Sequence, residues 1–355
     1  MQNGRRTCHA CLASAKLRVG RTRERRKDQR QKLRKYEVSG AAAVARFAYN
    51  DAAIQFEKAL AITEGAQSKL YFHLARAKAL FYGARPHMAT PWFERALELC
   101  LQASHLQYVY NLRHLARQRW IEQRTTQALP LLERTRELIP TVQEDPSFLR
   151  GFFRQTDALI STYLTLVGRY VEAARHLSIA DAPPKIRRDE GSIIYLAQCG
   201  VLHSIAGKEA EAFAHFEYAL VRAQNFADGY HTVAILDDYA TWAIALGRLD
   251  IALTCYEKAL FIARERALAW RVPYITLQLA GLLLKTGNYE QARLLISNAL
   301  VCDLEAPILR VLGSILLLEL SEVARDVPFQ QAPDNEALEI AFHSGEVQRI
   351  SRLAA

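Results

Sequence analysis

The sequence predicts an all-α solenoid of seven to eight helical hairpins, with a repeat length near forty residues. Three observations predict it. An alanine recurs along most of the chain, at Ala52, Ala89, Ala128, Ala173, Ala212, Ala252 and Ala292, in steps of 37, 39, 45, 39, 40 and 40 residues. Twelve positions before each stands another small residue: Gly40, Ala77, Ala116, Ser161, Gly200, Ala240 and Ala280. Between the two lies a turn, opened in four copies by Gly168, Gly207, Gly247 and Gly287.

Each part of the repeat has a physical reading. Four residues after each ladder alanine comes a large apolar side chain: Phe56, Phe93, Leu132, Leu177, Phe216, Tyr256 or Ile296. Three further on the chain returns to a small one, at Ala59, Ala96, Ala180, Ala219, Ala259 and Ala299, with Thr135 the single departure. Offsets of four and seven share one helical face. Small residues on both arms let two helices approach closely, and the large residue between them fills the space beside the contact. A glycine at the turn takes the left-handed conformation that ends the first helix. Such a hairpin cannot bury its own apolar face, so copies of it stack into a superhelix. A single globular core of the same composition does not require small residues in register at two places in every copy.

"GNYEQA" at 287–292 and "GRYVEA" at 168–173 resemble the Gly-x-x-Tyr-x-x-Ala stretch of the tetratricopeptide repeat. The resemblance covers residues 37 to 300 and implies a right-handed superhelix that binds partners in its concave groove. The first three copies depart from it, with Phe47, Ala84 and Gln123 where glycine is expected. The terminal proline of the family is absent, and steps near forty exceed its usual length. Repeats of this longer kind are similar to the arm of bacterial LuxR-type ATPase regulators with a MalT-like arm. "GAAAVARFAYNDAAIQFEKALAI" and "ALEIAFHSGEVQRIS" resemble the borders of such arms. That resemblance implies a transcriptional regulator, of which this chain would be a fragment. A free-standing adaptor is the alternative.

Charge divides the chain. Residues 1–36 carry thirteen Lys and Arg against Glu24 and Asp28, a net of +11, so the +9 total leaves −2 for the rest. We expect three regions: a basic, disordered head at 1–36, repeats at 37–303, and a degenerate or incomplete repeat at 304–355. Arg18, Arg21, Arg23, Arg25, Arg26, Lys27 and Arg30 are the candidates for a phosphate contact, since clustered cations bind nucleic acid by releasing counterions. No aromatic residue is interleaved among them before Tyr36 to stack on bases, so a nucleic-acid role is not favoured. A reading-frame error upstream of codon 36 would also give so abrupt a junction.

Catalytic patterns are missing. The sequence holds no Gly-x-x-x-x-Gly-Lys-Ser/Thr loop, no Gly-x-Ser-x-Gly elbow and no His-Glu-x-x-His pair. Cys8, His9 and Cys11 make half a zinc site without a second pair nearby. We expect no enzyme, no cofactor and no metal. The six scattered cysteines suit buried thiols in a reducing cytoplasm, and no apolar run reaches the ~20 residues that span a bilayer.

The expected site is therefore the groove, for a protein or peptide partner. In repeats of this type its lining falls six and three residues before each first-helix small residue, and one and four after it. This selects Tyr71, Lys78, Tyr110, Arg113, Arg117 and Trp120 in the second and third units, and Gln155, Thr162, Asp237, Thr241 and Tyr274 in later ones. The early groove is aromatic and cationic, which suits an extended or helical peptide bearing acidic residues.

Overall fold

The computed structural model describes residues 9–83, 85–103, 105–177, 190–224, 229–301, 306–324, 334 and 336–337, with backbone only at 9–23, 101–103, 105 and 190–192. Fifteen α-helices and no strand occupy the described residues. They pair in chain order into seven hairpins: α1 (His9–Ala45) with α2 (Tyr49–Ile62), α3 (Ala66–Tyr82) with α4 (Thr90–Ala103), and α5 (His105–Ile121) with α6 (Thr125–Leu138). The next pairs are α7 (Pro146–Leu166) with α8 (Tyr170–Leu177), α9 (Glu190–Ile205) with α10 (Glu209–Ala223), α11 (Tyr230–Ala245) with α12 (Leu249–Glu265), and α13 (Arg271–Lys285) with α14 (Tyr289–Val301). The 45-residue step arises from α7, which runs for 21 residues after a capping Asp145 whose carboxylate accepts from the Ser147 and Phe148 amides.

The small-residue ladder sits at the helix contacts. All seven ladder alanines are fully buried, as are Ala77, Ala116, Ser161, Ala240 and Ala280. At Gly40 the approach is closest: a Cβ there would lie 2.5 Å from the Phe56 ring. At Gly200 a Cβ would stand 3.0 Å from Phe216, the equivalent aromatic four units later. Thr135, the one departure, is tolerated because its hydroxyl donates to the Leu131 carbonyl at 2.8 Å and leaves no unsatisfied polar atom. Ala180 lies outside the described residues.

The turns share one hydrogen-bond pattern whether or not glycine is present. Gly168, Gly207, Gly247 and Gly287 have φ between 70° and 79°. Phe47 and Gln123 take the same left-handed region, at 60° and 59°. The following amide then reaches back five residues in each, as in Arg248 to Ala243 at 2.8 Å and Arg124 to Arg119 at 2.7 Å. Ala84 lies outside the described residues.

One expected boundary changes. The head is not a disordered segment ending at residue 36, because α1 crosses that position unbroken from His9. Gln29, Leu33, Tyr36, Gly40 and Ala43 fall on one face of it at helical spacing. Gln29 donates to the Ile62 carbonyl at 2.6 Å, and Leu33 and Tyr36 pack on the core. At the other end α15 (Pro307–Val323) stands as the first helix of an eighth unit, packed on α13 and α14. Gly313 is its small residue, for a Cβ there would lie 2.7 Å from Leu300. Arg310 ties it to Asp334 and Glu336.

The superhelix closes on itself. Trp270, before α13, donates its indole N–H to the Phe81 carbonyl of α3 at 3.0 Å, across 189 residues of sequence. Tyr230 packs against Phe81 and Tyr82, with ring centroids 5.8 and 5.2 Å away. Trp120 of α5 meets Trp270 and Tyr274 edge-on at 6.5 and 6.3 Å. Arg266 lies over the Phe47 ring at 5.1 Å. Buried apolar side chains of the first units and the last therefore form one continuous cluster.

Candidate functional site

Closure narrows the concave groove into a space that stays partly open to solvent. Its inner part is a cavity of about 140 Å³ lined by side chains from five successive units. Arg117 and Trp120 come from α5, Thr162 and Tyr163 from α7, Gln198 from α9, His231, Asp237 and Asp238 from α11, and Arg271 from α13. A second cavity of about 290 Å³ adjoins it, lined by Thr162, Gln198, Asp238 and Thr241 among others. Gln198 links the two walls: it accepts from Thr162 at 3.0 Å and donates to Thr165 at 2.9 Å and Ser161 at 3.2 Å.

The residues selected by register are distributed unevenly. Arg117, Trp120, Thr162 and Asp237 line the inner cavity, and Thr162 and Thr241 the second one. Tyr71 and Lys78 stand on the exposed face of α3. Tyr110 is half-buried against Phe152, at 4.5 Å between centroids. Arg113 is buried, its guanidinium 4.4 Å from the Phe152 ring, so it is not an open groove cation. Gln155 and Tyr274 are buried as well, and the Tyr274 hydroxyl accepts from Gln278 at 3.0 Å. Closure and the packing of α7 on α5 remove these three from the groove surface. Arg25, Arg26, Lys27 and Arg30 are exposed on α1. The side chains of Arg18, Arg21 and Arg23, and those of Cys8, His9 and Cys11, lie outside the described residues.

The register rule stopped one turn short. Nine residues before the small residue of α11 and α13 stand His231 and Arg271, one helical turn earlier on the same face, and both line the inner cavity. Arg271 is 4 % exposed, with its guanidinium near the Tyr230, Trp270 and Tyr274 rings and 3.6 Å from the Asp237 carboxylate. Burial alone would lower its pKa, but Tyr230 and Asp237 hold it raised, so it stays a cation. On the α5 wall, burial and then Lys78, Arg117 and Arg113 push the His114 pKa well below the ordinary imidazole value. Three cations thus share one neighbourhood there. Burial pushes the Tyr163 phenol up, and its hydroxyl donates to the Ala116 carbonyl at 3.1 Å. Cys100, Cys199 and Cys255 are buried free thiols, each pushed up to about 11 by burial, the reverse of an activated nucleophile. Among the described residues no helix is long and apolar enough to cross a membrane.

No protein-family profile matches the chain, and no curated protein sequence matches it. Solved structures do resemble it. A Rap protein, crystallised with competence and sporulation factor, is similar over 92 % of this chain and 95 % of its own, with a TM-score of 0.54 at 13 % identity. NprR, crystallised with its cognate peptide NprX, is similar over 93 % of this chain and 98 % of its own, with a TM-score of 0.50 at 15 % identity. At such identity the likeness is one of fold, and it agrees with the hairpin ladder. The chain is a tetratricopeptide-like α-solenoid.

Proposed function

We propose that this solenoid is a non-enzymatic protein-interaction arm that holds an extended or helical peptide segment bearing acidic residues in its concave groove. The observation that carries the reading is that Lys78 and Arg117 share one neighbourhood, close enough to His114 to lower its pKa further after burial has done so. Lys78 is exposed and Arg117 half-buried, so both are within reach of a partner carboxylate. That NprR was crystallised with a peptide supports a peptide as the partner class. The bordering stretches that resemble MalT-like arms support a role as the arm of a bacterial transcriptional regulator of the cytoplasm.

The test uses a fluorescent peptide of about twelve residues alternating glutamate and leucine, within the range of groove-bound segments. Wild type binds it, and the Lys78→Glu, Arg117→Glu double variant binds at least about tenfold more weakly, with the difference shrinking at high salt. Equal affinity for both proteins, or no binding by wild type, contradicts the proposal.

A further inference from the structure

We infer that the inner cavity is a recognition pocket for one uncharged hydrogen-bond acceptor of the bound segment, a carboxamide side chain such as glutamine or asparagine. The inference rests on the groove reading above and names what enters the groove's inner end.

Buried donors without an acceptor line the cavity. Among the described residues, Trp120 Nε1 and Arg271 Nε and Nη1 are buried without a hydrogen-bond partner. The Asp237 carboxylate neutralises Arg271 from 3.6 Å, beyond hydrogen-bonding distance, and Tyr230 also engages the guanidinium, so Nε and Nη1 are the N–H groups left without an acceptor. Trp120 and Arg271 lie together, since both pack against the Trp270 and Tyr274 rings. Both line the cavity. Buried donors in folded proteins are almost always satisfied, and a cluster left open in a cavity marks where an acceptor belongs.

Charge then selects the kind of acceptor. The ionic side chains lining the cavity are Arg117 and Arg271 against Asp237 and Asp238, with His231 beside them. Those charges already balance. An acidic residue of the peptide engages Arg117 from the groove side, which leaves Arg271 facing two carboxylates. A further carboxylate would enter a buried space with no charge to receive it, at a heavy desolvation cost. A carboxamide supplies the missing oxygen without a charge. Its amide group can in turn donate to acceptors such as the Asp238 carboxylate on the same wall. The volume agrees: about 140 Å³ suits a group near the size of benzene, so one side chain fits and a longer segment does not.

The four tryptophans provide the readout. The protein is labelled with ¹⁵N-tryptophan, and the Trp120 indole signal is assigned by its loss in Trp120→Phe, where unchanged Trp92 and Trp242 signals establish that the variant is folded. N-acetyl-glutamine methylamide, N-acetyl-glutamate methylamide and N-acetyl-norleucine methylamide are titrated at neutral pH. The expected result is a saturable shift of the Trp120 indole with the glutamine probe, and a markedly weaker one with the other two. Trp120→Phe, monitored by the ligand's own signals, should weaken glutamine binding about two- to tenfold, the worth of one hydrogen bond. Tighter or equal binding of the glutamate probe overturns the inference in favour of a charge site. Equal binding of norleucine reduces the cavity to an apolar hole. No shift with any probe up to about 20 mM, the weak end for so few atoms, also overturns it. The acidic-peptide assay then reports separately whether the groove reading survives.

Discussion

At the scale of single residues, the repeat is a record of how near two backbones come. Gly40 has no Cβ because Phe56 already occupies that place, 2.5 Å from where the atom would be. Gly40→Ala is therefore expected to destabilise the fold by about 1–3 kcal/mol, the range for overpacking a filled core, measured as a lower midpoint in chemical denaturation. Histidine burial gives a second expectation. The His73 pKa is lowered to about 4, first by burial and then by Arg95, Arg76 and Lys69, while the unfolded chain keeps an ordinary value near 6.5. A base with a lowered folded pKa stabilises the native state above its unfolded pKa and loses that contribution as pH falls. The thermal midpoint should drop between pH 6.5 and about 4, and His73→Phe, which keeps the ring against Trp92, should reduce that slope. These positions differed in legibility. The small residues were readable because every copy repeats them. The burial of Arg113 was not, because it depends on Phe152 of α7, a contact between helices that obeys no forty-residue rule.

Among the elements, the turn is set by backbone hydrogen bonding and glycine only makes it easier. Phe47 and Gln123 form the same left-handed cap as the four glycines, and Gln123 Nε2 also donates to the Trp120 carbonyl at 3.2 Å. At Gly247 a Cβ would meet nothing within 4 Å, so only conformational strain opposes a side chain there. Gly247→Ala should cost about 1–2 kcal/mol in equilibrium unfolding, less than the Gly40 change at its upper range, and should leave the structure otherwise intact. The paired helices and their turns were legible from the sequence, since each is fixed by local pattern. Helix α1 was the exception. Its charges suggested a solvated head, whereas Gln29 and Leu33 already belong to the packed face. In a helix that is polar on most of its surface, one packed stripe makes a weak signal.

For the whole molecule, function follows from curvature. Stacked hairpins would leave an open trough, and the register rule assumed one. Contacts between the second and third units and the sixth and seventh close that trough around a small cavity, and they bury Tyr274 while bringing Arg271 beside Trp120. No periodicity foretells a contact 189 residues apart, because Trp270 stands off the ladder and its equivalents in other copies differ. The groove was thus legible as a surface, but its inner end was not. The hydrogen bond from the Trp270 indole to the Phe81 carbonyl tests the closed superhelix most directly. In ¹⁵N-tryptophan-labelled protein, the Trp270 indole proton should exchange slowly with solvent and show nuclear Overhauser contacts to the Phe81 and Tyr230 rings. An indole that exchanges at once and shows no contact with Phe81 would mean an open spiral, with neither a narrowed groove nor an inner cavity.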